Sequence, residues 1–284
     1  MKVLELFAGI GGIGLGLERT GEFKVHWQVE IEPYARKVLQ KHWPDAYLHD
    51  DVKTFPPADL HCDADVIAGG FPCQDISTAR KGEGLKGERS GLFFEVVRIA
   101  KEIKPRWILL ENVSALLVRG LDRVLGELAK IRYDAQWHCL PASAVGAPHQ
   151  RDRIFILAYP HGAHSKRGWL PSGIQKKQYN TYSNSVNASN LADTNSIRQS
   201  GSGESVKSIR AKAFENWKTS QFRPERFASQ WETEPRMGRV VNGVSSGVDR
   251  SSRLKCLGNA VVPQVAQVLG EYILFLENEL NQGG

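Results

Sequence analysis

Four stretches of this 284-residue chain hold residues whose types and spacing can do chemistry. In Gly69-Gly70-Phe71-Pro72-Cys73-Gln74 a thiol follows an apolar run, inside a loop constrained by glycine and proline. Such a thiol is a nucleophile only if its surroundings favour the thiolate over a free pKa of about 8.5. A lone cysteine is more often a small buried hydrophobe, the reading taken for Cys62, Cys139 and Cys256. Glu111-Asn112-Val113 closes a second apolar run, where a carboxylate serves either as an acid at the strand end or as a capping or surface group. Gln150-Arg151-Asp152-Arg153 precedes a third run, and its arginines face an anionic or polar ligand or form surface ion pairs. In Leu6-Phe7-Ala8-Gly9-Ile10-Gly11-Gly12-Ile13-Gly14, the residues Gly9, Gly11 and Gly14 fit G-x-G-x-x-G. Glu30 follows where an acid holds ribose hydroxyls. This pattern indicates a nucleoside cofactor, without separating NAD from S-adenosylmethionine or excluding a glycine turn with no ligand.

The elements that must position these groups alternate. Apolar runs over 2–6, 25–29, 65–68, 107–110 and 153–158 read as strands, and stretches over 32–42, 92–103 and 121–131 have helical spacing. Helical spacing returns from about 264. Alternating strands and helices predict an α/β fold with a mainly parallel sheet covered by helices on both faces. The residues at strand ends then share one rim, where open α/β sheets place their chemistry.

From 159 to about 235 the chain turns rich in Ser, Asn, Gln, Gly, Lys and Arg, and its apolar periodicity fades. The charge concentrates nearby. Residues 160–250 hold 14 Lys/Arg against 7 Asp/Glu, while the remainder holds 23 against 24. A basic excess confined to one segment suits a nucleic-acid contact surface, although a solvated basic face has the same composition. The four cysteines form no C-x-x-C pair and no metal-ligand spacing, so reduced thiols in the cytoplasm and no metal are expected. No apolar run is read as a membrane span, and Met1 to Phe7 reads as a strand rather than a signal peptide.

Taken in order, the motifs resemble those of the DNA cytosine-5 methyltransferase family, in its compact bacterial or phage form. Phe7-Ala8-Gly9-Ile10-Gly11-Gly12 is similar to the cofactor loop, Phe71-Pro72-Cys73-Gln74 to the nucleophile motif and Glu111-Asn112-Val113 to the Glu-Asn-Val motif. Gln150-Arg151-Asp152-Arg153 is similar to the Gln-Arg-x-Arg motif, and Gly258-Asn259-Ala260-Val261-Val262-Pro263 to the closing motif. A nicotinamide oxidoreductase explains only the first of these.

The resemblance implies a Rossmann-like S-adenosylmethionine-dependent methyltransferase sheet plus a small loop-rich target-recognition domain. It divides the chain into a catalytic and cofactor-binding domain over 1–158, a target-recognition domain over 159–254 and a returning C-terminal segment over 255–284. It implies transfer of a methyl group to C5 of a flipped-out cytosine in a short duplex DNA sequence, through a covalent bond from Cys73 to C6. Pro72, Cys73, Gln74, Glu111, Arg151 and Arg153 would form the catalytic set. Cofactor contacts would come from Phe7, Ala8, Gly9, Ile10, Gly11, Gly12, Glu30, Ile31, Asp51, Val52, Pro72, Leu92, Asn259, Ala260 and Val261. Asp51 is preferred over Asp50 because the family pairs Asp with a following apolar residue.

Residues 74–91, with Arg80 and Lys81, would close over the flipped base, and Arg98 adds a further positive charge beyond them. Arg236 and Arg239 would contact DNA from the basic segment, whose framework runs from 236 to 250. Double-stranded DNA is the expected partner of a monomer, with a cognate restriction endonuclease possible in the same system. An RNA cytosine-5 methyltransferase and a non-catalytic DNA-binding homologue are the alternatives.

Overall fold

A computed structural model describes residues 1–72, 91–162 and 250–281. Cys73, Gln74, Arg80, Lys81, Arg236, Arg239 and nearly all of 159–254 lie outside the described residues.

The first half winds as β1 (Lys2–Leu6), α1 (Gly12–Glu18), β2 (Lys24–Val29), α2 (Pro33–His42), β3 (Tyr47–His49) and β4 (Val66–Gly70). It continues with α3 (Leu92–Ile103), β5 (Trp107–Val113), α4 (Leu116–Arg119), α5 (Leu121–Lys130), β6 (Tyr133–Leu140) and β7 (Arg153–Pro160). Among the described residues, α6 (Arg250–Asn259) and α7 (Pro263–Asn281) follow.

The strands form one sheet in the order β3-β2-β1-β4-β5-β7-β6. The chain winds outward from β1 to β3 and then returns to lay β4 on the other side of β1. The strand order therefore reverses between β1 and β4, which opens a crevice beyond their carboxyl ends. β1 to β5 are parallel, and β7 runs antiparallel to both β5 and β6. That reversal puts the start of β7, rather than its end, on the same rim as the ends of β4 and β5.

The central strands are apolar because helices cover the sheet. Leu4, Leu6, Ile67, Ile108, Leu110, Ile154 and Ile156 share one core with Phe93, Val96, Ile99, Val124 and Leu128. Two strands escape the sequence pattern. β3 has three residues, and β6 is an edge strand in which Tyr133, Ala135, Trp137 and Cys139 alternate with Asp134, Gln136 and His138, so no run of consecutive apolar residues marks it. Gln136 is nevertheless buried, accepting the Tyr272 hydroxyl at 3.2 Å.

The last helix returns to the first. A Cβ at Gly16 would run into the Pro263 carbonyl and the Ala266 methyl, so glycine is what lets α1 and α7 approach this closely. Glu277 of α7 is buried and accepts the Trp107 indole N–H at 2.6 Å, and it also pairs with Arg106. The stretch Ser252–Asn278 is long and apolar enough to cross a membrane by length and composition. In the fold it is broken at 260–262, and Val265, Ala266, Val268, Leu269, Tyr272, Ile273 and Leu276 are buried. Helix α6 also runs through the expected boundary at 254/255.

Candidate active site

The glycine loop leaves β1 through a left-handed Phe7 (φ 53°) and turns at Gly9 and Gly11. The Ala8 N–H donates to the Val29 carbonyl at 3.1 Å, and the Gly11 N–H donates back to Ala8 at 2.8 Å. The turn is tight enough that a Cβ on Gly11 would fall inside the Trp43 ring. Below it Glu5 is buried in β1, accepting the Gly14 N–H at 2.9 Å and the Gln28 side-chain amide at 3.1 Å. Burial pushes the Glu5 carboxyl up to about 7, against the pull of these donors.

Glu30 directly follows β2, beside that loop. One of its oxygens accepts the Gly9 N–H and the other the Glu32 N–H, each at 2.7 Å. A carboxylate has about four lone-pair sites, so Glu30 is fixed by the backbone while keeping capacity for two ligand hydroxyls. Ile31 next to it is 70% exposed, an apolar side chain at the mouth of the crevice. Asp51 accepts the Lys53 N–H at 2.9 Å over the buried Val52. Asp50 is exposed and faces Arg36 at 3.9 Å. Open space lies in front of Gly9. A glycine turn with open space at Gly9, a held carboxylate with lone pairs to spare and an exposed apolar flank fit a nucleoside with a ribose diol, as S-adenosylmethionine is.

The acid and the arginine meet on the same rim. Glu111 lies opposite Gly70 across the β4–β5 ladder, and a Cβ at Gly70 would stand 2.7 Å from its carboxylate. Glycine there leaves room for Glu111 to lie over the end of β4. The Glu111 carboxylate is 2.9 Å from the Arg153 Nε, with only 12% and 23% of the two side chains exposed. Burial raises the Glu111 pKa above the ordinary carboxyl value, and Arg153 and Arg151 oppose the shift without cancelling it. The Asn112 side-chain amide donates to the Phe71 carbonyl at 2.9 Å, fixing the backbone at the entry to Pro72 and Cys73. Phe71 is buried against the Phe93 ring, and Pro72 is exposed. Leu92, at the start of α3, is half-buried against the core.

Arg151 does something else. Its Nη2 donates to the Gly258 carbonyl at 2.8 Å and the Ala260 carbonyl at 2.5 Å. Asn259 is exposed, and the Val261 carbonyl packs on Gly12. Arg98 is also committed elsewhere. It pairs with Glu95 at 2.6 Å and Glu102 at 3.1 Å and donates to the Val52 and Phe55 carbonyls. Its charge is balanced by these two carboxylates while it braces Val52. Arg98, Gly70 and Glu5 have supporting roles that residue type alone did not signal.

The structure thus gathers Phe7 to Gly12, Glu30, Ile31, Asp51, Val52, Pro72, Glu111, Arg151, Arg153 and Asn259 to Val261 around the carboxyl-end crevice.

The sequence matches the family model for C-5 cytosine-specific DNA methylase over residues 1–242. A type II methyltransferase, M.CviJI of Paramecium bursaria Chlorella virus IL3A, is 41% identical over 158 residues, 55% of this chain and 42% of that protein. M.Sau3AI of Staphylococcus aureus is 35% identical over 201 residues, 63% of this chain and 48% of that protein. The chain therefore spans less than half the length of these relatives. A crystal structure of a Spodoptera frugiperda DNMT2 mutant shares the fold at TM-score 0.50 and 23% identity, covering 62% of this chain and 53% of that one.

Proposed function

The chain belongs to the C-5 cytosine-specific DNA methylase family, and from that premise we propose that it methylates C5 of a cytosine flipped out of duplex DNA, with S-adenosylmethionine as methyl donor. The observation that carries this reading is the half-buried Glu111–Arg153 pair at 2.9 Å, two strands from the glycine loop and directly across from the entry to Cys73.

C5 of cytosine is a poor nucleophile. Addition of the Cys73 thiolate to C6 breaks the C5–C6 double bond and sends electron density toward N3 and O2. Glu111, held protonated to higher pH by its burial, gives its proton to N3 as that density arrives. The Arg153 guanidinium faces the O2 side, which is electrostatic stabilisation aimed at developing charge. C5 then carries the electron pair that accepts the donor's methyl group. Loss of the C5 proton to water, followed by departure of Cys73 as thiolate, restores the aromatic ring and returns the proton from N3 to Glu111.

The base leaves the stack at a cost of a few kcal/mol. Gln74, Arg80 and Lys81 take up contacts with the DNA around it. The basic segment within 159–254, with Arg236 and Arg239, reads the sequence through phosphate and base-edge contacts. The protein acts as a monomer in the cytoplasm of a bacterium or phage-infected cell.

The test is expression in a methylation-deficient host, with Cys73→Ser alongside, and sequencing of genomic 5-methylcytosine. Methylation at one short motif that disappears in the variant supports the reading. Unmethylated DNA from a folded protein that binds S-adenosylhomocysteine refutes it, and 5-methylcytosine in cellular RNA would then redirect the substrate to RNA.

A further inference from the structure

We propose, building on the cofactor reading above, that Arg151 is a positioning residue that clasps the C-terminal segment over the glycine loop and so sets affinity for the methyl donor. Residues two apart on an extended chain share a face, which would aim Arg151 with Arg153 at the base. Its left-handed backbone (φ 42°) breaks that alternation. Such a conformation is uncommon for a residue other than glycine. The guanidinium turns instead to the carbonyls of Gly258 and Ala260, at 2.8 and 2.5 Å.

These carbonyls lie where α6 ends. The last turn of a helix presents carbonyls without intrahelical partners and a partial negative charge, which a cation satisfies. Immediately beyond, the Val261 carbonyl sits against Gly12 of the loop. Among the described residues, the other side-chain tie from α6 to the rim is the Lys255–Glu32 pair at 3.0 Å. That pair is largely exposed and contributes little. α6 itself buries Cys256 but leaves Leu254 and Leu257 more than half exposed. Arg151 therefore holds 258–261 on the crevice while its charge also falls on Glu111. One side chain thereby joins the wall of the cofactor crevice to the acid–arginine pair.

The test compares Arg151→Met and Arg151→Lys with the full wild-type chain, by S-adenosylhomocysteine titration, steady-state kinetics on DNA and amide hydrogen exchange. Loss of a charge-assisted bond corresponds to about tenfold or more in affinity. Arg151→Met is expected to raise Kd for S-adenosylhomocysteine and KM for S-adenosylmethionine by that factor. The loss falls more on KM than on kcat, which changes only as far as removing a positive charge near Glu111 requires, the signature of lost binding rather than lost transition-state contact. Arg151→Lys falls between, because an ammonium reaches one carbonyl. Without ligand, exchange over 254–262 speeds up in both variants.

A fall in kcat with KM unchanged, equal affinities or unchanged exchange each overturn the clasp. Should Arg151→Met not fold, wild-type exchange decides: S-adenosylhomocysteine must slow 258–262, and no slowing refutes the proposal. A wild-type chain that binds no S-adenosylhomocysteine refutes the cofactor reading, and ligand-free exchange then still judges the clasp.

Discussion

Replacing Glu5 with glutamine should change how stability depends on pH, by an amount that follows from its burial. Glu5 is 1% exposed in β1, and desolvation lifts its carboxyl from the usual 4.5 to about 7 in the folded chain. Between those two values the folded state keeps a proton that the unfolded state has released. Folding is therefore strongest, as far as this group is concerned, below pH 4.5 and weakens as pH rises toward 7. At about 1.4 kcal/mol for each pH unit, the gap corresponds to about 3 kcal/mol.

Glu5→Gln removes the titration while keeping the shape. The new amide oxygen can accept the Gly14 N–H, and the Gln28 amide can turn to offer its oxygen to the new NH2 group. Urea unfolding of wild type and variant at pH 5, 6, 7 and 8 gives a difference curve from which all other groups cancel. That difference should tilt toward the variant by about 2–3 kcal/mol across the range and flatten above pH 7. A difference that stays constant from pH 5 to 8 would refute the reasoning, because Glu5 would then ionise alike in both states.

Three further outcomes follow from particular contacts. Gly16→Ala should cost about 1–3 kcal/mol in urea unfolding, because the added methyl stands 2.5 Å from the Ala266 Cβ and α7 must back away from α1. Glu277→Ala should cost about 1.5–3 kcal/mol in the same assay, since it removes the charged acceptor of the Trp107 indole and the partner of Arg106. Glu30→Gln should weaken S-adenosylhomocysteine binding about tenfold or more by calorimetry. Its NH2 group would face the Gly9 or Glu32 N–H donor-to-donor, displacing the loop it now holds.

Much of the frame was legible before any coordinates. Local hydrophobic runs mark β1, β2, β4, β5 and β7, and helical spacing over 92–103 coincides with α3. These segments declare themselves because burial dictates their composition residue by residue. The motif residues were legible for a related reason, since a glycine loop, a strand-end acid and a pair of arginines are chemical types required by what they bind. What escaped was non-local. β6 carries the alternation of a half-buried strand, with Tyr133, Ala135 and Trp137 between polar residues, but no local pattern announces which strand it pairs with or that β7 runs backward.

The roles of single side chains escaped for the same reason. Sequence determined that Arg151 and Arg153 stand two apart, a spacing that on an extended chain shares one face. The tertiary structure separated them, because a left-handed residue and two helix-end carbonyls 107 and 109 positions away offered Arg151 a different partner. Gly70 is glycine because Glu111 of the next strand needs its space, and Arg98 is neutralised by neighbours on its own helix while bracing a loop 46 residues earlier. Sequence determines the inventory of groups and the short-range periodicity that buries them. Which group meets which depends on chain segments brought together only by folding, because hydrogen bonds and ion pairs act over a few ångströms in space and take no account of distance along the chain.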